Sequence, residues 1–240
     1  MTEYTTEYTE GHIVRSYDAE LDRLRTLLLG MGGLVVDQIG LAVRALTSRD
    51  REIARTVVQR EEDVNRYDME AEELVLHVLA KRQPMGTDLR AVMAITRAVT
   101  DLERCGDEAK KIAKIAKRRT GEDSEFVETF AIAAGSMGAL AAGLLKSAVE
   151  ALDAADEEKA IQAVQADARL DEEYKIALRN IHTALISNPA LIEVAADLVI
   201  VIKALERVGD HAKNIAKYVV FIVQGKDVRH VKAGVLDQEI

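Results

Sequence analysis

Residues Leu102–Lys114 read LERCGDEAKKIAK, and residues Leu205–Lys217 read LERVGDHAKNIAK. Ten of the thirteen positions are identical, at a constant offset of 103 residues. Identity of this extent at a fixed spacing indicates a tandem duplication within the chain. We therefore expect two copies of one structural unit, each containing one copy of this motif.

Both copies of the motif are predicted to be helical. In the first copy, small and apolar residues recur at spacings of three and four, which places them on one helix face. They are Leu102, Cys105, Gly106, Ala109, Ile112, Ala113 and Ala116. A glycine inside a helix costs about 1 kcal/mol relative to alanine. Gly106 and Gly209 therefore predict a close neighbouring helix in each half.

Each motif also places two carboxylates four residues apart, beside the apolar face. The pairs are Glu103 with Asp107, and Glu206 with Asp210. Like charges at this spacing destabilise an isolated helix by about 0.2–0.5 kcal/mol. A cation between the carboxylates would offset that repulsion. The alternative is a solvated face on which these acids pair with nearby basic residues, and local physics leaves both interpretations open.

Composition and charge define the class of protein. Of the 240 residues, 48% are hydrophobic and 4% aromatic, with no Trp and only two Pro. Long helices have this composition, so the fold class is predicted to be all-α. The net charge of −9 argues against a nucleic-acid partner. A single cysteine, Cys105, excludes an internal disulfide and agrees with a reducing cytoplasm.

The sequence also predicts a soluble chain. The polar N-terminus lacks the apolar stretch of a signal peptide. The longest apolar runs that we identify, Leu198–Ile202 and Tyr218–Val223, are far shorter than the roughly 20 residues needed to cross a bilayer. We expect a cytoplasmic protein that meets membranes only peripherally.

Hydrophobic periodicity predicts six long helices, at about residues 17–47, 51–82, 85–119, 125–152, 156–186 and 190–223. Short connections favour antiparallel neighbours. The predicted architecture is two pseudo-symmetric three-helix bundles, at residues 17–120 and 125–224. Residues 1–16 are expected to form a flexible tail and residues 225–240 a polar tail.

The middle helix of each half carries acids on its apolar stripe. Glu61 lies there in the first half, and Asp167 and Asp171 in the second. Aligning the two middle helices places Glu61 opposite Asp167, and Asn65 opposite Asp171. A buried carboxylate must be neutralised by a basic residue, a proton or a metal ion. An oxygen-only ligand set suits magnesium, manganese, calcium or iron and argues against structural zinc.

Enzymatic signatures are missing from the sequence. The helical di-iron enzymes use Glu-x-x-His, but Gly106 and Gly209 stand where that histidine would be, three residues after Glu103 and Glu206. The chain has no glycine-rich phosphate loop after a strand and no nucleophile with a partner base. The basic run Lys110–Arg119 is interpreted as a solvated helix end, with docking to an acidic partner or to lipid headgroups as the alternative.

The twin motif resembles the PhoU family, together with Arg82-Gln83-Pro84 and Asp88-Leu89-Arg90 before the third helix. The similarity spans about residues 13–224. It implies two three-helix bundles and a cytoplasmic, often dimeric protein that negatively regulates phosphate uptake and the phosphate-starvation response. It also implies partners: the phosphate ABC transporter, through its ATPase subunit, and the sensor histidine kinase. Membrane association would then occur only through those partners.

Some members of this family bind metal clusters through Glu/Asp-x-x-x-Asp motifs. By resemblance, the ligands fall on Glu103 with Asp107, on Glu206 with Asp210, and on Asp167 with Asp171 of the middle helix. Glu61 is followed by Asn65 rather than by an acid, so the first half is expected to bind metal more weakly or with a different nuclearity. Iron, manganese and magnesium are the candidate ions.

Three functions are compatible with these residues. The favoured one is a non-enzymatic signalling adaptor with carboxylate metal sites. The second is the same adaptor without metal, its acids serving partner contacts or salt bridges. The third is a carboxylate-metal enzyme, which the missing catalytic signatures disfavour.

Overall fold

The computed structural model describes residues 15–119 and 125–231. Within these ranges the chain forms six α-helices, one short 3-10 helix and no strand, so the all-α prediction is confirmed. The helices are α1 Arg15–Ser48, α2 Arg51–Arg82, α3 Gly86–Arg118, α4 Glu125–Ala154, α5 Glu157–Ser187 and α6 Ile192–Gln224, with the 3-10 helix at Pro189–Leu191. These bounds agree with the predicted helices to within two residues.

The turn from α1 to α2 is repeated between α4 and α5. Arg49 and Ala155 both adopt a positive φ, of 56° and 49°. The next residues, Asp50 and Asp156, cap the N-termini of α2 and α5 by accepting hydrogen bonds from backbone N–H groups. The offset between the two turns is 106 residues, the same as between Glu61 and Asp167. The turn geometry therefore supports the alignment of the two middle helices.

The six helices form two three-helix bundles, α1–α3 and α4–α6, that pack against each other. Helix α3 contacts α6 and α1 contacts α4, so these four helices form an inner layer, with α2 and α5 on the outside. Their buried side chains form one continuous hydrophobic core. The two motif helices, α3 and α6, thus face each other at the centre of the molecule.

Small residues bring α1 and α4 together. A β-carbon added at Gly138 would lie 2.5 Å from Val43, and one added at Gly32 would lie 2.9 Å from Val149. Such distances are shorter than real side-chain contacts. Glycine is therefore needed at both crossing points.

The beginning of the predicted polar C-terminal tail belongs to the fold. Val228 is buried in the core. Lys217 of α6 is also buried and donates hydrogen bonds to the backbone carbonyls of Arg229 and Val231. The expectation of a free tail is wrong for residues 225–231, because a buried apolar side chain and a buried ammonium group fix them. Residues 1–14, 120–124 and 232–240, which include parts of both predicted tails, lie outside the described residues.

Two helices are more apolar than the short runs Leu198–Ile202 and Tyr218–Val223 suggest. Ser16–Ser48 and Phe126–Ala154 contain 18-residue windows of mean hydropathy 1.7 and 1.5, which are long and apolar enough to cross a membrane by length and composition alone. The prediction that no such stretch exists is therefore wrong. Both helices belong to the inner layer, and core helices that bury apolar stripes among small residues meet the same criterion. This is weak evidence for a membrane span.

Candidate functional site

Three carboxylates converge in the first bundle. Glu61 of α2 meets Glu103 and Asp107 of α3, with one oxygen of each residue within 4.8 Å of the others. Glu61 occupies a core position of α2 and is only 4% exposed. We call these three residues the first carboxylate site.

The first carboxylate site is short of positive charge. Glu61 Oε2 is buried and has no hydrogen-bond partner. The Lys110 ammonium lies 3.7 Å from both Glu61 and Asp107, beyond ordinary hydrogen-bond distance. Burial raises the pKa of Glu61 most strongly; Lys110 lowers it, and Asp107 and Glu103 raise it further. Burial and the Asp107 charge likewise raise the pKa of Glu103.

In the second bundle the corresponding acids are neutralised by lysines. Lys213 Nζ lies 2.5 Å from Asp167 Oδ2 and 2.8 Å from Asp210 Oδ1. Lys203 Nζ lies 2.5 Å from Glu206. Burial still raises the pKa of Asp167, although Lys213 opposes that shift. The Lys213 ammonium group thus bridges Asp167 and Asp210. We define the second carboxylate site as Asp167, Asp171, Glu206 and Asp210.

The structure supports the alignment of the two halves. It does not show the sparser carboxylate cluster in the first half that Asn65, in place of an acid, suggests. Glu61 and Asp167 both lie beside the motif lysine, as the alignment predicts. Asn65 is exposed and takes no part in the first carboxylate site. Asp171 makes no ion pair or hydrogen bond among the described residues. The half that lacks the second middle-helix acid is therefore the half in which carboxylates gather, while the relative metal affinity stays a prediction.

Both motif glycines lie at close helix contacts, as predicted. A β-carbon at Gly209 would lie 2.5 Å from Leu170 Cδ2 and 2.8 Å from Asp167 Oδ1. At Gly106 the nearest atom is Val64 Cγ1, at 3.3 Å. The contact is tighter in the second bundle. The glycines let α3 and α6 approach the middle helices closely enough to bring the acids together.

Sequence reasoning missed a polar network between the two motif helices. Asp101 of α3 is buried and accepts a hydrogen bond from the Tyr218 hydroxyl of α6 at 2.7 Å. Its other carboxylate oxygen lies 2.8 Å from His211 Nδ1. Asp101 lies just before the motif, and its partners follow more than a hundred residues later. The only hint in the sequence is that His211 stands where the first copy has Glu108.

Part of the basic run at the end of α3 is used inside the molecule. Arg119 Nε lies 2.6 Å from Asp197 Oδ2 of α6, and Arg118 also binds Asp197. Arg119 donates a further hydrogen bond to the Glu193 carbonyl. The two arginines therefore join α3 to the start of α6, whereas Lys114 and Lys117 are exposed and make no ion pair or hydrogen bond among the described residues.

The fold and this site define a class of protein: a tandem pair of three-helix bundles whose last helices carry a duplicated carboxylate motif. The PhoU domain model matches residues 28–116 and 135–219, one match in each bundle. The chain belongs to the PhoU family.

Individual relatives match nearly the whole chain. The Phosphate-specific transport system accessory protein PhoU homolog of Pseudomonas aeruginosa is 35% identical over 229 residues, covering 95% of this chain and 94% of that protein. The Escherichia coli K12 PhoU accessory protein is 30% identical over 227 residues, covering 95% and 93%.

Solved structures agree with the fold. The crystal structure of PhoU from Pseudomonas aeruginosa superposes with a TM-score of 0.82 at 35% identity and covers 88% of this chain and 100% of that one. PhoU from Streptococcus pneumoniae gives 0.79 at 28% identity, covering 88% and 98%.

Proposed function

We propose that this protein is a non-enzymatic negative regulator of phosphate uptake and of the phosphate-starvation response. The observation that carries the proposal is the match of both bundles to the PhoU domain, together with relatives described as phosphate-specific transport system accessory proteins. Because the similarity covers about 95% of the chain, it applies to the complete two-bundle unit.

The proposed mode of action is that of a cytoplasmic adaptor. It would contact two separate partners, the ATPase subunit of the phosphate ABC transporter and the sensor histidine kinase. A homodimer is part of this proposal. Association with the membrane would occur only through the transporter and the kinase, which agrees with a net charge of −9 that anionic lipid would repel.

We further propose that the first carboxylate site binds a divalent metal ion. Glu61, Glu103 and Asp107 fit such an ion because they offer only oxygen ligands and because Glu61 Oε2 is buried without a partner. A bound cation would supply the positive charge that Lys110, at 3.7 Å, supplies incompletely. Magnesium, manganese and iron are the candidates from this donor set.

The second carboxylate site favours the metal-free alternative. Lys213 already neutralises Asp167 and Asp210 at hydrogen-bond distance, so a metal would have to displace its ammonium group. In this half the acids would serve packing or partner contacts unless that lysine moves. Metal content should therefore differ between the two halves.

The regulatory proposal is tested in cells that lack their own PhoU protein and carry a reporter driven by a phosphate-starvation promoter. Expression of this chain should repress the reporter in phosphate-rich medium. Pull-downs with the transporter ATPase subunit and with the kinase then test each contact separately. A reporter that stays active despite soluble, folded protein would contradict the regulatory function.

Metal binding is tested by elemental analysis of protein purified without chelators and reloaded with magnesium, manganese or iron. The Glu61→Gln/Glu103→Gln variant should lose the metal, and the matched Asp167→Asn/Asp171→Asn variant should keep it. Equal metal content in the first variant and the parent would place the ion elsewhere. If the parent protein takes up none of the three ions, the metal-binding proposal is wrong and the metal-free adaptor is the function that remains.

A further inference from the structure

A polar surface cavity of about 390 Å³ lies between α3 and α6 and is lined by equivalent residues of the two motifs. Each lining residue of α3 has its counterpart on α6 at the same 103-residue offset, including the motif aspartates Asp107 and Asp210. The other pairs are Arg104 with Arg207, Glu108 with His211, and Lys111 with Asn214. The cavity therefore lies on the pseudo-twofold axis of the molecule, with one arginine on each side.

Three cations and three carboxylates line this cavity, but its two arginines are incompletely paired. Lys111 and Arg207 share a single partner, Glu108, at 2.8 and 3.1 Å. Arg104 makes no hydrogen bond or ion pair among the described residues. The two motif aspartates are turned toward lysines outside the cavity lining, Lys110 and Lys213. Arg104 thus has no direct hydrogen-bond or ion-pair partner among the described residues, and Arg207 has only a shared one, so both guanidinium groups are available to a ligand, which points to an anion.

The Glu108 carboxylate restricts which anion the cavity can bind. Lys111 and Arg207 both donate to Oε1 of Glu108, which leaves Oε2 open to another donor. Ionised carboxylates can only accept hydrogen bonds, whereas guanidinium groups can only donate them. A ligand that satisfies both must be an oxyanion that keeps a proton at neutral pH. Phosphate keeps such a proton, and sulfate does not.

We propose that this cavity binds inorganic phosphate. Arg104 and Arg207 would hold two of its oxygens from opposite sides, and Oε2 of Glu108 would accept the hydrogen bond of its P–OH group. The choice of phosphate among protonated oxyanions rests on the proposed function in phosphate transport, whereas the anion site itself rests on the geometry alone. The cavity shares Asp107 with the first carboxylate site and Asp210 with the second.

The test is isothermal titration calorimetry of the chelator-treated full chain with inorganic phosphate at pH 7, repeated with sulfate. Phosphate should bind saturably and sulfate at least about tenfold more weakly, because Glu108 repels an oxyanion that has no proton to donate. The Arg104→Gln/Arg207→Gln variant should lose about tenfold or more of the phosphate affinity. Glu108→Gln should narrow the difference between phosphate and sulfate, since an amide can donate to either.

The matched control is Arg55→Gln/Arg179→Gln, which removes the same charge from exposed positions, one in each half. This variant should bind phosphate like the parent. Absence of phosphate binding to the parent, or equal losses in the two double variants, would overturn the phosphate site. A parent protein that binds sulfate as tightly as it binds phosphate would overturn the role of Glu108.

The reporter assay separates this proposal from the regulatory one. Phosphate binding by a protein that never represses the reporter would contradict the regulatory function and leave the phosphate site standing. Repression of the reporter by a protein that shows no phosphate binding in calorimetry would contradict the phosphate site and leave the regulatory function standing.

Discussion

The ammonium group of Lys213 lies 2.5 Å from Asp167, whereas its first-half counterpart, Lys110, stays 3.7 Å from Glu61. The two lysines occupy the same position of a duplicated motif, and the two acids align on the middle helices. In the second half the lysine completes the site. In the first half Glu61 Oε2 is left buried and unpartnered, which is where a cation is most needed.

This contrast predicts unequal effects of removing the two lysines. Lys213→Met should destabilise the protein by about 3 kcal/mol, because it leaves the buried Asp167 carboxylate without its partner. Lys110→Met, the matched control, should cost less than about 1 kcal/mol, since its pairs are long and partly solvated. Urea unfolding at pH 7 measures both. Similar losses for the two variants would contradict the asymmetry.

The same variant predicts a pH dependence. Without Lys213, the folded-state pKa of Asp167 should lie further above its unfolded value, because the opposing attraction is gone. An acid whose pKa is raised on folding stabilises the protein below its unfolded pKa, and that stability is lost as pH rises through the folded pKa. The deficit of Lys213→Met relative to the parent should therefore shrink on acidification below the carboxyl range. A deficit that stays constant from pH 7 to pH 4 would argue against an uncompensated Asp167 charge.

Metal should stabilise the first half in a pH-dependent manner. The pKa values of Glu61 and Glu103 are raised, so the apo protein loses stability as pH rises through them. Added manganese should raise Tm at pH 7 and not below the carboxyl range, where protons compete with the metal for the carboxylates. Glu61→Gln should abolish the increase, and Lys213→Met should not. A Tm increase of equal size in Glu61→Gln would place the stabilising ion elsewhere.

The motif glycines should tolerate substitution unequally. Gly209→Ala should destabilise by about 1–3 kcal/mol, because its β-carbon would lie 2.5 Å from Leu170. Gly106→Ala has its nearest contact at 3.3 Å, and the gain of about 1 kcal/mol in helix propensity should roughly offset it. Substitution by Leu should destabilise at both positions. Thermal unfolding of the parent and the glycine variants, measured in parallel, tests this difference. An unchanged Tm for Gly209→Ala would contradict the close contact between Gly209 and Leu170.

Asp101 should be important for the contact between the bundles. Asp101→Ala removes the acceptor of Tyr218 and the partner of His211, and two unmatched polar groups should cost about 3 kcal/mol. Tyr218→Phe removes one hydrogen bond and should cost about 1 kcal/mol. Burial and the Asp101 contact raise the pKa of Tyr218, so its hydroxyl remains a donor across the physiological range. Equal losses in the two variants would show that His211 contributes nothing.

The sequence by itself determined the number of helices, their bounds to within two residues, and the duplication. Periodicity and the turn residues act locally, so Asp50, Pro84 and Asp156 end or begin helices whatever the rest of the chain does. The burial of Glu61 and Asp167 follows from the same local pattern, because each replaces an apolar residue on a helix stripe.

Only the tertiary structure decided which acids meet and which cations reach them. Lys110 and Lys213 occupy equivalent positions in the two copies of the motif. The distance from each lysine to its acid depends on how the middle helix packs against the motif glycine. The cavity between Arg104 and Arg207 likewise exists only because α3 and α6 face each other across the pseudo-twofold axis. Ion pairing acts over a few ångströms between residues far apart in the chain, 46 positions for Lys213 and Asp167 and 99 for Arg207 and Glu108, so no local pattern in the sequence records it.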